Sequence, residues 1–111
     1  LFGCGGNRDR QKRPAMGAIA QRYSDLVVVT SDNPRHEDPE VIIADILSGM
    51  EQSPAVIVEV DRRRAISRII AASCPGDLVL LAGKGHETYQ QVGARQLPFD
   101  DVAVAREVMA A

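Results

Sequence analysis

Four short apolar runs, at 1–3, 26–30, 55–60 and 78–82, divide this chain, and the stretches between them are each long enough for a helix. That alternation constrains the fold more than any other feature. Strands separated in this way cannot close as hairpins and need crossover connections, so they pair in parallel and carry helices on both faces of the sheet. The expectation is an α/β domain of three layers with a mostly parallel sheet. Ala15, Ile19 and Ala20 recur at helical spacing after Pro14, and Asp38-Pro39 opens Val41, Ile42, Ile46 and Leu47 with a capping acid and a first-turn proline. Asp61 caps a third helix over 62–73, whose Ala65, Ile66, Ile69, Ile70 and Ala72 form its buried stripe. Arg62, Arg63 and Arg64 oppose the dipole at that helix start and are expected to face solvent. After Glu87 the pattern changes to Tyr89-Gln90-Gln91-Val92, Gly93-Ala94 and Arg95-Gln96-Leu97, a short carboxyl-terminal hairpin with glycine first in its turn. A last helix starts at Asp100 or Asp101 and runs through Val102, Ala105, Val108 and Met109.

With 111 residues, 45% of them hydrophobic, the chain suffices for one core and not for two. A net charge of -2 lacks the positive field that drives nucleic-acid binding. Cys4 and Cys74 form neither a CxxC motif nor a Cys/His cluster, and His36 and His86 stand apart from any acidic pair, so free thiols and no metal site are expected. No run is long enough to span a membrane and no signal peptide opens the chain, so a cytoplasmic domain without membrane partners is expected; a monomer without nucleic-acid partners is the accompanying expectation. Leu1-Phe2 reads as the last step of a strand, as in a carboxyl-terminal domain excised from a longer polypeptide.

Three polar loops, at 3–9, 31–35 and 83–87, each follow an apolar run. A parallel sheet brings such loops to one rim, where ligands of α/β proteins collect, and this assembles Arg8, Asp32, Asn33, Arg35 and Glu87. Arginine holds a carboxylate by two parallel hydrogen bonds while a glutamate takes an ammonium, so the set suits the charged end of an amino acid. Pro34 stiffens the turn that presents Asn33 and Arg35. Blander readings apply nearby. Gly3-Cys4-Gly5-Gly6 has Arg8 where a dinucleotide fingerprint needs its last glycine, and Lys84 lacks the GxxxxGK[ST] spacing of a phosphate loop. Arg10, Lys12 and Arg13 read as a solvated helix entrance.

Taken together, 1–9 (Leu-Phe-Gly-Cys-Gly-Gly-Asn-Arg-Asp), Arg13-Pro14-Ala15-Met16-Gly17, Ser31-Asp32-Asn33-Pro34-Arg35 and Leu81-Ala82-Gly83-Lys84-Gly85-His86-Glu87 with Tyr89-Gln90 resemble the carboxyl-terminal domain of the bacterial Mur ligases. Asp-Asn-Pro-Arg resembles the mark of the branch that adds meso-diaminopimelate. The resemblance implies a Rossmann-like domain in which Arg8, Asn33 and Arg35 bind the distal end of that amino acid. Asp32 and Pro34 would shape the turn, and Gly83 by its backbone and Glu87 by its carboxylate would complete the pocket. It implies an ATP-dependent, amide-forming ligase of peptidoglycan biosynthesis acting on UDP-N-acetylmuramoyl-L-alanyl-D-glutamate. ATP and Mg2+ would belong mainly to a central domain and the UDP group to an amino-terminal one, so the isolated domain is expected to be inactive. Asn7 stands where the family usually has aspartate, which puts any charge-dependent role of that position in doubt, while Asp9 stays open. Two alternatives remain at this point: a stand-alone α/β module that binds a small molecule, and a Mur ligase that adds a different amino acid.

Overall fold

In the computed structural model, which describes residues 1–111, strands β1 (Val27–Val29) and β2 (Val56–Val58) pair in parallel, with Val28 opposite Ile57. On the other side of β1, Phe2 N–H donates to Val28 O and Thr30 N–H to Phe2 O, at 3.1 and 2.9 Å, which adds residues 1–3 in parallel. The Leu1 nitrogen in turn donates to Leu80 O and Ala82 N–H to Leu1 O, both at 2.9 Å, so 80–82 lies next beyond. The spatial order of the four apolar runs is therefore third, second, first, fourth. All four runs point the same way, but the order in which they are added reverses at 1–3, with the second and third runs on one side and the fourth on the other, the kind of switch point at which α/β sheets open a crevice. Regular pairing is shorter than the apolar runs: 26–30 and 55–60 each contribute three residues, and 78–82 is held on one edge only, with Leu78 95% exposed.

Alternation along the strands sorts the core into two layers. Phe2, Cys4, Val27 and Val29 face α1 (Lys12–Tyr23) and α2 (Pro39–Leu47), where Ile42, Ile43 and Ile46 meet them. Leu1 and Val28 face α3 (Arg62–Ala72) and α4 (Asp101–Ala110), against Ala65, Ile66, Ile69 and Val104. Each fully buried isoleucine here contributes about 1.5–3 kcal/mol. The caps are as the sequence indicates: Asp38 accepts from Glu40 N–H, Asp61 from Arg64 N–H, and Asp100 from Val102 and Ala103 N–H. The three-layer α/β expectation holds, and so does the hairpin. Strands β3 (Tyr89–Val92) and β4 (Arg95–Pro98) pair antiparallel around Gly93-Ala94, with Gly93 at φ +60°, where glycine meets no Cβ penalty.

Helix α1 departs from expectation in the face it buries. Arg13 and Gly17 point inward, because Gly17 lets Ile46 and Met50 of the α2 region approach its backbone, and Ile19 is left 59% exposed. Along α4 the buried positions are Asp101 and Val104, with Val102 and Met109 exposed, and on α3 Ala72 lies outside the stripe. Both cysteines are free, and no helix is long and apolar enough to cross a membrane.

Candidate functional site

The turn at 31–35 is locked between the glycine-rich loop and the hairpin. Gly6 N–H donates to Asn33 O at 2.7 Å, Arg35 N–H donates to Gln91 O at 3.0 Å, and Gly93 N–H donates to Arg35 O at 2.6 Å. A side chain at Gly6 would collide with the Pro34 carbonyl, so only glycine permits this approach. Arg35 sits at φ +52°, a left-handed conformation that costs a non-glycine residue about 1–2 kcal/mol. Its two backbone bonds offset that strain, as does its guanidinium, which donates from Nη1 to Gly6 O at 3.0 Å and to Asn33 O at 3.4 Å.

Arg8 and Arg35 lie on the same side of the molecule. A Cβ built on Gly5 would stand 2.7 Å from Arg35 Nη1 and 3.4 Å from Arg8 Cγ, so both side chains flank one stretch of backbone. Arg8 is exposed, Arg35 half-buried. Asn33 is buried, its Oδ1 accepting from Gln91 N–H at 2.9 Å and from Lys84 Nζ at 3.3 Å, while Nδ2 donates to Glu87 Oε1 at 3.4 Å. Glu87 keeps 39% of its side chain exposed. Asp32 Oδ1 lies 3.3 Å from Lys84 Nζ, an ion pair without hydrogen-bond geometry, and Asp32 Oδ2 faces Gly83, which turns at φ +108°. Pro34 is buried behind the turn.

Sequence reasoning missed the three cations that hold these loops. Arg13, expected in solvent, is 1% exposed and donates to Glu37 and Asp45 carboxylates at 2.9–3.1 Å and to Gly5 O at 3.0 Å. Arg62, also expected outside, is 1% exposed. It grips Asp101 by Nε and Nη2 at 2.8 and 2.7 Å, and its remaining donors reach Ser31 O and Ala82 O. Lys84, dismissed as a phosphate lysine, has a fully buried side chain whose Nζ also donates to Tyr89 O at 2.5 Å. Exposure is the cheaper state for a lone cation, and burial wins here because each has carboxylate and carbonyl partners from elsewhere in the chain. Arg13 stands one turn before Gly17 on the buried face of α1, the one local signal of its place. Arg63 and Arg64 remain exposed as expected.

The electrostatics follow. Hydrogen bonds from Arg13 and the Asn7 N–H hold Glu37 below the usual carboxylate range, and those from Arg10 and Arg13 do the same for Asp45. Burial pushes the Cys4 thiol up, which argues against a reactive thiolate. No three His, Cys, Asp or Glu side chains converge on a metal position, and Lys84 Nζ is committed to Tyr89, Asn33 and Asp32. A groove of about 390 Å³ between α2 and β2, lined by Ile43, Leu47 and Val58, contains none of the rim residues. What the rim offers is two guanidiniums and one half-exposed carboxylate on an immobilised frame.

Residues 1–85 match the family described as Mur ligase, glutamate ligase domain. The chain is 52% identical over 109 residues to the UDP-N-acetylmuramoyl-L-alanyl-D-glutamate--2,6-diaminopimelate ligase of Aquifex aeolicus, covering 98% of this chain and 23% of that protein. It is 58% identical over 112 residues to the protein of the same name from Syntrophomonas wolfei, again over 98% of this chain and 23% of that protein. A solved structure of a ligase of that name superposes with a TM-score of 0.93 at 45% identity, over 98% of this chain and 23% of that one. The chain thus spans less than a quarter of the length of the relatives it matches.

Proposed function

This chain belongs to the Mur ligase family, and from that membership we propose that it is the nucleophile-positioning domain of a ligase that adds meso-diaminopimelate to UDP-N-acetylmuramoyl-L-alanyl-D-glutamate. The observation that carries the reading is the pairing of Arg8 and Arg35 beside Gly5, with Glu87 held nearby through Asn33. In this reading the guanidiniums take the distal carboxylate of diaminopimelate, and Glu87 with the Gly83 backbone takes the distal ammonium. Asn33 has one amide N–H left for the ligand after its bond to Glu87. The reacting amine at the other end then points away from the rim, toward the acceptor.

The domain's contribution is proximity and orientation rather than acid–base chemistry. ATP-dependent activation of the acceptor carboxylate, with Mg2+, falls mainly to a central domain of the longer polypeptide, and UDP binding to an amino-terminal one. The domain alone then has no ligase activity. Selectivity comes from the same rim. Lysine has the same chain length without the second carboxylate, so its binding would leave the Arg35 guanidinium desolvated without a counter-charge, a loss on the order of several kcal/mol and roughly a thousandfold in preference. In the intact ligase, Arg35→Ala is expected to raise the KM for diaminopimelate about 100-fold while leaving that for ATP within a few-fold. Equal effects on both substrates would remove Arg35 from the pocket.

A further inference from the structure

We propose that Lys84 is a positioning residue for the amino-acid pocket, its buried ammonium setting where Asp32, Asn33 and Glu87 present their polar atoms. The inference rests on the pocket reading above and deepens it. Four oxygens lie within 3.8 Å of Lys84 Nζ: Tyr89 O at 2.5 Å, Asn33 Oδ1 and Asp32 Oδ1 at 3.3 Å, and Glu87 Oε1 at 3.8 Å. Three of these belong to side chains of the pocket. The fourth belongs to β3, the strand whose Gln91 carbonyl holds Arg35. The ammonium also stands over the Tyr89 ring, 5.8 Å from its centre. Lys84 therefore ties the 31–35 turn, the 83–87 loop and the hairpin at one point.

Its chemistry explains why a lysine serves there. An ammonium donates three hydrogen bonds and accepts none, so every neighbour must turn an oxygen toward it. Asn33 accordingly presents Oδ1 inward, and Nδ2 is left facing Glu87 and the rim. Glu87 at 3.8 Å is attracted without being consumed, and its half-exposed carboxylate stays available to a ligand ammonium. The positive charge also separates two carboxylates, Asp32 and Glu87, that would otherwise repel each other and any incoming acid. A buried ion pair serving stability alone could be exchanged, both partners together, for well-packed apolar side chains without loss. Lys84 is instead surrounded by groups the pocket needs.

The test uses the intact ligase, with the KM for diaminopimelate, the KM for ATP and the thermal transition measured for Lys84→Met, Lys84→Arg and the double variant Lys84→Met/Asp32→Asn. Lys84→Met is expected to raise the KM for diaminopimelate about 30-fold or more and that for ATP less than about 3-fold. The double variant, with no unpaired carboxylate at Asp32, should regain most of the lost thermal transition and keep a KM well above that of Asp32→Asn alone, measured alongside. A KM that recovers together with the transition would mean a purely structural lysine and overturn the proposal. Should Lys84→Met fail to fold, Lys84→Arg decides: charge is kept but the planar fork misplaces it, so a folded Lys84→Arg enzyme with an unchanged KM also overturns it. Arg35→Ala is run in parallel. If it raises the KM for diaminopimelate and Lys84→Met does not, only the role of Lys84 falls; if neither does, the pocket itself is wrong.

Discussion

Replacing Arg62 by methionine is expected to be the most damaging single change outside the apolar core. The side chain is fully buried, its partner Asp101 is 5% exposed, and the two form a bidentate pair at 2.7 and 2.8 Å. Two further donors satisfy the carbonyls of Ser31 and Ala82, at the ends of the second and fourth apolar runs, so one guanidinium joins the starts of α3 and α4 to the rim. Methionine fills much of the same volume but leaves a buried carboxylate without a counter-charge, a situation that costs about 3–5 kcal/mol. Domains of this size are stable by roughly 5–15 kcal/mol, so the variant approaches the limit of folding. Urea unfolding followed by circular dichroism would measure it, alongside Asp101→Leu and the double variant. Because the apolar pair removes both charges together, the double variant should be about 2 kcal/mol or more better than the sum of the singles. A loss below about 1 kcal/mol for Arg62→Met, or strict additivity in the cycle, would refute the argument that burial of this pair organises the rim.

Acid should loosen the glycine-rich loop. Glu37 has a folded pKa below its ordinary one through hydrogen bonds from Arg13 and the Asn7 N–H, and Asp45 through those from Arg10 and Arg13. Their contribution is therefore complete above the ordinary carboxylate range of about 4 and is lost as pH falls through the lower folded values. Glu37→Gln/Asp45→Asn, though less stable at neutral pH because Arg13 loses its counter-charges, should show an acid limb flatter by up to two protons, and an unchanged limb would contradict the assignment. Gly6→Ala is expected to disorder the rim, since a methyl group meets the Pro34 carbonyl. Amide exchange at Gly6 and Arg35, whose N–H groups bond Asn33 O and Gln91 O, would report it, and unchanged protection would speak against the close approach.

How far the sequence discloses this molecule depends on the range of the physics involved. The strands at Val27–Val29 and Val56–Val58, the caps at Asp38, Asp61 and Asp100, and the Gly93 turn rest on patterns within a few residues, and all of them are legible. The convergence of three loops on one rim follows from parallel topology and is legible too. Burial of Arg13, Arg62 and Lys84 is not, because their partners stand as far away as Asp45, Asp101 and Asn33 in the chain, and locally each resembles an exposed cation. The same distance effect turned α1: Gly17 packs against Ile46 of α2, and the Ala15–Ile19 face that periodicity favours is left outside. The convergence of Arg8, Asp32, Asn33, Arg35 and Glu87 on one rim is thus readable from motif and placement, whereas the cations that hold them in position required the fold.

Recognition of a second acid group by Arg8 and Arg35 is tested most directly by calorimetric titration of meso-diaminopimelate and of lysine into the intact ligase, with an ATP analogue and the UDP-dipeptide present. Diaminopimelate should bind roughly a thousandfold more tightly than lysine, and Arg35→Ala should abolish most of that preference. Comparable affinities for the two amino acids, or a preference that survives Arg35→Ala, would contradict it.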